Sequence, residues 1–187
     1  MESNDLSKGI NSIVSPNARF GKNCVIGLFC IIEDAVEIGD NVQIGDYCKI
    51  FNDVKIGSNT KIQSYVEIRS NTRIGTDCYI DSFVAFSGES VIGNNVTLRY
   101  SAIIARGVRI GNGTYICPFV MTNNLDTNRQ SIGGAHIGAN CFVGTNAVLN
   151  HGITLEDNVT VGSLSFVNHN CRAGKTYIGT PAKELIK

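Results

Sequence analysis

The chain has 187 residues, with 16 basic and 16 acidic side chains and therefore a formal net charge of zero. A neutral chain offers no excess positive field for nucleic acid or for an anionic membrane surface, so neither is an expected partner. No apolar run approaches the ~20 residues that span a bilayer, and the first residues lack the order of a signal peptide, so we expect a soluble, cytoplasmic protein.

A six-residue repeat dominates the sequence. From Val14 to Ile116 an aliphatic residue or Phe recurs at every sixth place, which gives 18 positions without a slip. Neither a helix, with a period of about 3.6 residues, nor a simple strand, with a period of about 2, produces this spacing. The pattern stops between residues 122 and 135 and then resumes from Ile137 to Val167. Since Ile137 is three places out of phase with the run that ends at Ile116, an insertion leaves the repeat and returns to it.

Each six-residue unit can form a short strand and a tight turn, and three successive units close one triangular coil. Glycine, which permits a positive φ or a close backbone approach, follows the aliphatic residue once per coil at positions 21, 39, 57, 75, 93 and 111. Asparagine, which tolerates a positive φ, falls three places after that residue at positions 17, 23, 41, 59, 71, 95, 140, 146, 158 and 170. The sequence therefore predicts an all-β fold, a parallel β-helix of about eight coils.

The same pattern divides the chain. We expect the β-helix over residues 12–174, with one protruding loop at about 122–135. Residues 1–11 lack the repeat and are predicted to form an N-terminal arm or cap. Residues 175–187 are predicted to close the other end of the core, with a short helix at Ala182–Ile186.

The cysteines fit the core of such a prism. Six of the seven fall four places after a core residue, in an inward slot that suits a small apolar side chain. Their spacing matches neither a zinc site nor a disulfide framework, so we expect thiols in a reducing compartment. Cys30 and Cys48 occupy the same place in successive coils and should stack on each other.

Two repeats carry a family resemblance. Ile38-Gly-Asp-Asn-Val-Gln-Ile44-Gly and Ile137-Gly-Ala-Asn-Cys-Phe-Val143-Gly resemble the repeats of the hexapeptide-repeat acyltransferase superfamily, and the resemblance covers nearly the whole chain from about residue 12. It implies a left-handed β-helix, a homotrimer, and acyl-CoA bound in clefts between neighbouring prisms. The ending Ile178-Gly-Thr-Pro-Ala-Lys183 is similar to the segment that leads into the C-terminal helix of many members.

The segments that flank the insertion are more specific. Val120-Met-Thr-Asn-Asn124 and Gly134-Ala-His-Ile-Gly-Ala-Asn140 are similar to segments of nucleotide-linked amino-sugar N-acetyltransferases, although Asn124 replaces an Asp and the loop between them is shorter. This resemblance implies that an acetyl group is transferred from acetyl-CoA, the co-substrate, to an amino sugar. It points most specifically to a nucleotide-linked amino sugar.

Asn124 also bears on the type of acceptor. Sugar O-acetyltransferases of the superfamily usually carry a His here as general base, which is typically worth ~10²–10⁴ in rate because a hydroxyl must lose its proton as it attacks. An amine with a pKa of ~8 is partly neutral and can attack the thioester directly. The sequence therefore favours N-acetylation. O-acetylation of a sugar or antibiotic hydroxyl, with His136 or His151 as base, stays open, and so does a non-catalytic scaffold.

The candidate catalytic residues are His136, His151 and Asn124, which lie at or after the insertion. The candidate acceptor-binding residues are polar or aromatic, namely Asn123, Asn124, Asp126 and Tyr100. Arg99 and Arg106 are cations where a nucleotide diphosphate would rest.

The resemblance places the acyl-CoA cleft on the coils after the insertion. It implies that Gly144, Asn146, Ala147 and Gly162 hold the pantetheine arm, to which backbone donors would be offered. Lys175 and Lys183, with Arg172, are the nearest cations for its phosphates. No metal is expected, because the three His are widely spaced in the sequence, whereas two zinc ligands of the gamma-class carbonic anhydrases, which share this prism, lie about five places apart.

Overall fold

The computed structural model of the chain describes residues 6–186. All regular elements in this range are β-strands, so no helix there is able to cross a membrane. Most strands have two residues. In chain order they are β1 (Ser7–Lys8), β2 (Ile13–Val14), β3 (Arg19–Phe20), β4 (Val25–Ile26), β5 (Ile31–Ile32), β6 (Glu37–Ile38), β7 (Gln43–Ile44), β8 (Lys49–Ile50), β9 (Lys55–Ile56), β10 (Lys61–Ile62), β11 (Glu67–Ile68), β12 (Arg73–Ile74), β13 (Tyr79–Ile80), β14 (Ala85–Phe86), β15 (Val91–Ile92), β16 (Thr97–Leu98), β17 (Ile103–Ile104), β18 (Arg109–Ile110), β19 (Tyr115–Ile116), β20 (Met121–Thr122), β21 (His136–Ile137), β22 (Phe142–Val143), β23 (Val148–Leu149), β24 (Thr154–Leu155), β25 (Thr160–Val161), β26 (Phe166–Val167), β27 (Thr176–Gly179) and β28 (Ala182–Glu184).

The strands stack into three sheets that form the walls of a triangular prism. Sheet 1 has the order β1-β4-β7-β10-β13-β16-β19-β22-β25-β27-β28, sheet 2 the order β2-β5-β8-β11-β14-β17-β20-β23-β26, and sheet 3 the order β24-β21-β18-β15-β12-β9-β6-β3. Except for the antiparallel pair β27–β28, neighbouring strands are parallel. Corner 1–2 joins sheet 1 to sheet 2 (residues 27–30 and their equivalents), corner 2–3 joins sheet 2 to sheet 3 (residues 33–36), and corner 3–1 closes the coil (residues 39–42).

The prism has about ten coils rather than the eight predicted, because sheet 1 stacks ten parallel strands from β1 to β27. The two extra coils lie at the ends, where the aliphatic repeat is missing. Backbone bonds define them: the Ser7 N–H donates to the Cys24 carbonyl at 3.0 Å, and the Gly162 N–H donates to the Tyr177 carbonyl at 2.9 Å. Since backbone pairing does not depend on side chains, the aliphatic pattern alone undercounted the coils.

The interior is filled as the repeat predicts. In β4 and the following two-residue strands the second side chain is buried and the first faces outward. Ile, Leu, Val and Phe of the repeat therefore form one continuous column, in which Ile50, Ile68 and Phe86 are at most 1% exposed. Each buried side chain packs on its equivalents in the coils above and below, so the core is a stack of similar layers.

The glycines of corner 3–1 are required by close backbone approach and not by a positive φ. A Cβ on Gly111 would lie 2.6 Å from the Ala139 nitrogen and 2.6 Å from the Gly138 carbonyl carbon of the next coil. Such contacts are impossible without moving the backbone. The positive φ occurs instead at the asparagines: eight of the ten predicted positions have φ between 54° and 61°, as the repeated turn demands.

The six cysteines predicted for the inward slot are all buried and free. Cys30 and Cys48 stack as expected, and contact with the Cys30 sulfur together with burial raises the pKa of the Cys48 thiol. Burial likewise raises the pKa of Cys171 to about 12. Contact with the Cys48 sulfur lowers the pKa of the Cys30 thiol to about 7, whereas Cys48 and Cys171 are core groups held in their neutral form.

An aromatic ladder that the sequence analysis missed runs along corner 1–2. Its members, each 40–51% exposed, are Phe29, Tyr47, Tyr65, Phe83, Tyr100 and Phe119. The first four rings stack in parallel at 4.9–5.1 Å between centroids, while Tyr100 lies edge-on to both neighbours. Five of the six residues have φ between 55° and 62°, a conformation unfavourable for large side chains, and the stacking offsets part of that penalty.

The insertion after Thr122 is a compact hairpin at corner 2–3. Leu125 and Ser131 form an antiparallel bridge, and the Ile132 N–H donates to the Asn124 carbonyl at 3.0 Å. One oxygen of Asp126 accepts from the backbone N–H groups of Asn128 at 2.9 Å and Gln130 at 2.8 Å. Its shape is therefore set by bonds within the loop itself.

The predicted C-terminal helix at Ala182–Ile186 is wrong. The chain turns at Thr180 and Pro181, and β28 pairs antiparallel with β27, with Ile178 opposite Lys183. Ala182 is buried against the end of the core, and the Leu185 N–H donates to the Thr176 carbonyl at 2.7 Å. A hairpin satisfies the open edge of sheet 1, which a helix would have left unpaired.

Candidate active site

Polar side chains gather at corner 2–3 on the last three coils. Because β20, β23 and β26 are neighbours in sheet 2, the residues that follow each of them stack. The Asn123 N–H donates to the Leu149 carbonyl at 2.9 Å, and the Asn150 N–H donates to the Val167 carbonyl at 2.9 Å. The resulting group, here called the corner cluster, consists of Asn123, Asn124, Asn150, His151, Asn168 and His169.

The amides of Asn123 and Asn124 are available to a ligand. Both residues are half-buried, and neither side-chain amide has a hydrogen-bond partner within residues 6–186. Each amide offers two N–H donors and a carbonyl acceptor at the root of the insertion. The structure therefore brings two of the predicted acceptor-binding residues together with free hydrogen-bonding capacity.

His151 is the histidine that lies in this cluster beside the insertion. The Gly152 N–H donates to the Gly133 carbonyl at 3.0 Å, which fixes the turn that carries His151 against the root of the loop. Its Nδ1 is buried and has no hydrogen-bond partner in the described part of the chain. An unpartnered buried nitrogen is unfavourable unless water or a ligand reaches it. His169, one coil further, already contacts Asn168 at 3.2 Å and the Tyr177 ring.

His136 lies elsewhere, on the outer face of sheet 3. It is exposed on β21 between Arg109 of β18 and Thr154 of β24. A cavity of about 760 Å³ opens in front of this row. Across residues 6–186, no group of three or more His, Cys, Asp or Glu side chains is arranged to hold a metal ion.

The remaining acceptor candidates are separated from the cluster. Asp126 lies out in the insertion, where one carboxylate oxygen organises the loop turn. Tyr100 lies on corner 1–2, at the opposite edge of sheet 2, within the aromatic ladder. Arg99 and Arg106 are both engaged: Arg99, on corner 1–2, donates to Asp81 and to the Tyr115 hydroxyl, and Arg106, on corner 2–3, pairs with Glu89 at 2.6 Å.

The four residues predicted to hold the pantetheine arm, Gly144, Asn146, Ala147 and Gly162, all lie on corner 1–2. Their N–H groups are already used inside the prism: Gly144 donates to Val161, Asn146 to Pro118, Ala147 to Gly144, and Gly162 to Tyr177. Ala147 is fully buried, and its carbonyl accepts from the Met121 N–H. The structure therefore contradicts Ala147 as a contact residue and the use of these four N–H groups as donors. The exposed Asn146 side chain remains available to a ligand.

The C-terminal cations differ in their pairing. Glu184 binds both Arg172, at 2.8 Å, and Lys175, at 3.3 Å. Their hydrogen bonds, with that of Arg172 the stronger influence, lower the pKa of the Glu184 carboxyl. Lys183 has no ion pair within residues 6–186. It is consequently the cation among the three whose charge is not offset by a carboxylate.

Known proteins resemble both halves of the chain. Residues 9–99 match the family model for the GMPPB C-terminal domain, and residues 134–169 match that for the bacterial transferase hexapeptide of six repeats. Bifunctional protein GlmU of Stenotrophomonas maltophilia is 30% identical over 93 residues, which is 50% of this chain and 19% of that protein. The chain therefore spans about a fifth of the length of this curated relative.

Solved structures share the fold over nearly the whole chain. The UDP-N-acetylglucosamine acyltransferase of Bacteroides fragilis has a TM-score of 0.70 at 19% identity, covering 93% of this chain and 72% of that one. The Francisella novicida enzyme of the same name has a TM-score of 0.66 at 20% identity, covering 92% and 67%. These likenesses confirm the predicted left-handed parallel β-helix.

Proposed function

We propose that the chain is a left-handed β-helix acyltransferase of the hexapeptide-repeat superfamily and that it transfers an acetyl group from acetyl-CoA to the amine of a nucleotide-linked amino sugar. The observation that carries the proposal is the corner cluster, where the amides of Asn123 and Asn124 lie at the root of the insertion with no hydrogen-bond partner within residues 6–186. The seven free cysteines fit a reducing compartment such as the cytoplasm.

The reaction needs positioning more than proton abstraction. The neutral amine attacks the thioester carbonyl, a C–N bond forms, and the C–S bond breaks as CoA leaves. The proton lost by nitrogen passes to the departing thiolate or to water. Asn123 and Asn124 hold the sugar and orient the amine, which accounts for amide side chains where a base would otherwise stand.

The acyl donor and the acceptor meet at an interface between copies. Within one chain, Asn146, the residue proposed to bind acetyl-CoA, lies on corner 1–2. The corner cluster lies on corner 2–3, at the other edge of sheet 2. In a homotrimer with parallel prisms, corner 1–2 of one copy adjoins corner 2–3 of the next. The outward row of sheet 2 supports such packing because its later members are apolar, namely Ala85, Ile103, Met121, Val148 and Phe166.

O-acetylation of a sugar hydroxyl is the second candidate, and one observation favours it. The buried, unpartnered Nδ1 of His151 lies beside the insertion, where a hydroxyl proton would be removed. Replacing His151 by Ala separates the two reactions. Under O-acetylation the variant loses about 10²-fold or more in turnover, whereas under amine acylation the change is small.

Acetyl-CoA binding gives the first test of the proposed donor. At about 100 times its Kd, acetyl-CoA stabilises the protein by about 2.7 kcal/mol. For a chain of this length that raises the melting temperature by about 5–10 °C. Free adenosine diphosphate at the same concentration is the control and should give a clearly smaller shift. A protein that melts at the same temperature with and without millimolar acetyl-CoA is not an acetyl-CoA-dependent enzyme.

A further inference from the structure

The outer face of sheet 3 carries a second polar site beside the corner cluster. Three consecutive strands, β18, β21 and β24, present Arg109, His136 and Thr154 side by side in front of the cavity of about 760 Å³. Parallel strands are about 4.8 Å apart, so the row is about 10 Å long. Gly93, Gly111 and Gly138 of corner 3–1 also line this cavity.

The row offers hydrogen-bond donors that no group within residues 6–186 uses. Arg109 has no ion pair within residues 6–186, in contrast to Arg99 and Arg106. No hydrogen bond to the His136 ring or to the Thr154 hydroxyl exists in the same range. A guanidinium with an imidazole and a hydroxyl beside it suits the oxygens of a phosphoryl group, to which arginine binds with two parallel N–H bonds.

Two carboxylates also border the cavity, and both are turned towards backbone donors. Glu156 accepts from the Ala173 N–H at 2.8 Å, and Asp157 accepts from the Ala139 N–H at 2.7 Å. Both lie at corner 3–1, two and three residues after Thr154 on the same coil, and line the cavity together with Arg109 and His136.

We infer that Arg109, His136 and Thr154 bind the phosphoryl groups of a nucleotide. The inference rests on the proposed function, in which both reactants carry phosphates. It extends that function by assigning a binding site to the phosphates of one of the reactants. His136 directly follows the insertion, so phosphates in this row leave the attached group within reach of the corner cluster. His136 is then a binding residue and not the general base.

Isothermal titration with three probes tests the assignment. UDP represents the nucleotide of an acceptor, adenosine 3′,5′-bisphosphate represents that of CoA, and uridine is the probe without phosphate. The wild-type protein is expected to bind at least one phosphorylated probe and to bind uridine far more weakly. Arg109→Gln is expected to raise the Kd of that probe at least about tenfold, because a hydrogen-bonded charge is lost. His136→Gln should raise it about threefold or more.

Arg73→Gln is the matched control. Arg73 has the same outward position on β12, two strands from β18 in sheet 3, and lies outside the cavity. This variant should keep the Kd within about twofold, and unfolding midpoints should be equal for all variants because these side chains are exposed.

The probe that responds identifies the source of the phosphate. A response to UDP assigns the row to the acceptor, and a response to adenosine bisphosphate assigns it to CoA. Unchanged affinities in Arg109→Gln and His136→Gln, or an equal loss in Arg73→Gln, overturn the assignment. If acetyl-CoA still stabilises the wild-type protein in that case, the proposed function survives; if the wild-type protein binds neither acetyl-CoA nor any nucleotide, both fail.

Discussion

Asn124→Ala is expected to lower kcat/KM for the amino-sugar acceptor by about 10²-fold. A misplaced nucleophile is enough for a loss of that size, because the reacting atoms must be held within about 3–3.5 Å of each other. The fold should not change, since the contact that Asn124 makes within the hairpin is through its backbone carbonyl, which accepts from Ile132. The measurement is the rate of thiol release from acetyl-CoA with a panel of UDP- and dTDP-linked amino sugars.

Asn128→Ala is the control for this substitution. Asn128 is exposed in the same hairpin, and its backbone N–H rather than its side chain is used by Asp126. It should retain wild-type kcat/KM. The melting temperature in the presence of acetyl-CoA should be the same for both variants, because the donor is held at corner 1–2. If Asn124→Ala were as active as Asn128→Ala, the corner cluster would not be the acceptor site.

Phe86→Ala is expected to lower the free energy of unfolding by about 3–5 kcal/mol. Phe86 is 1% exposed on β14, between Ile68 of β11 and Ile104 of β17, so its ring fills one layer of the core. Removing the ring leaves a cavity that the rigid coils above and below cannot close. The free energy is measured from urea unfolding curves.

Phe86→Leu keeps this prediction measurable where the alanine variant does not fold. Leucine retains most of the apolar volume, so the loss should be less than half of that for alanine. A loss below about 1 kcal/mol for Phe86→Ala would show that the layer at β14 can collapse, contrary to a core of independent, closely packed layers.

The six-residue period of the sequence was sufficient to predict the β-helix architecture. Aliphatic residues at every sixth place determine which side chains face inward, and a coil of three such units follows from the glycine spacing, so strands, core and turns could all be predicted. The two ends could not. Ser7–Lys8 and Thr176–Gly179 join sheet 1 through their backbone, which leaves no trace in an aliphatic pattern. The hairpin at Ala182 depends on covering an open sheet edge, a tertiary requirement.

For the candidate site, the six-residue pattern predicts where side chains lie on the prism but not which groups are already hydrogen-bonded. In the structure Asn123 and His151 lie at one corner, since both follow strands of sheet 2. The pattern did not reveal that the N–H groups of Gly144 and Gly162 are consumed by the coils beneath them. Hydrogen bonds between coils use the same backbone N–H groups that were predicted to bind the pantetheine arm. Which N–H groups remain free depends on the folded structure.

Arg109 was missed because the insertion changes the spacing of stacked residues. Arg109 pairs with His136 on the far side of the insertion, so the two are further apart in the sequence than stacked residues of the earlier coils, such as Val91 and Arg109. The signal was nevertheless present in the sequence. Arg109 precedes Ile110 and His136 precedes Ile137, so both occupy the outward place before an aliphatic residue, and aligning the two parts of the repeat would have put them side by side.

Acyl transfer to paired acceptors tests the central claim most directly. Purified protein is incubated with acetyl-CoA and nucleotide-linked amino sugars, and in parallel with the matching nucleotide sugars that carry a hydroxyl in place of the amine. CoA release and the mass of the product are measured. We predict an increase of one acetyl group on an amine acceptor and none on its hydroxyl counterpart. Product from the hydroxyl acceptors alone would contradict N-acetylation, and the absence of product from every acceptor, with acetyl-CoA unbound, would contradict an acetyltransferase.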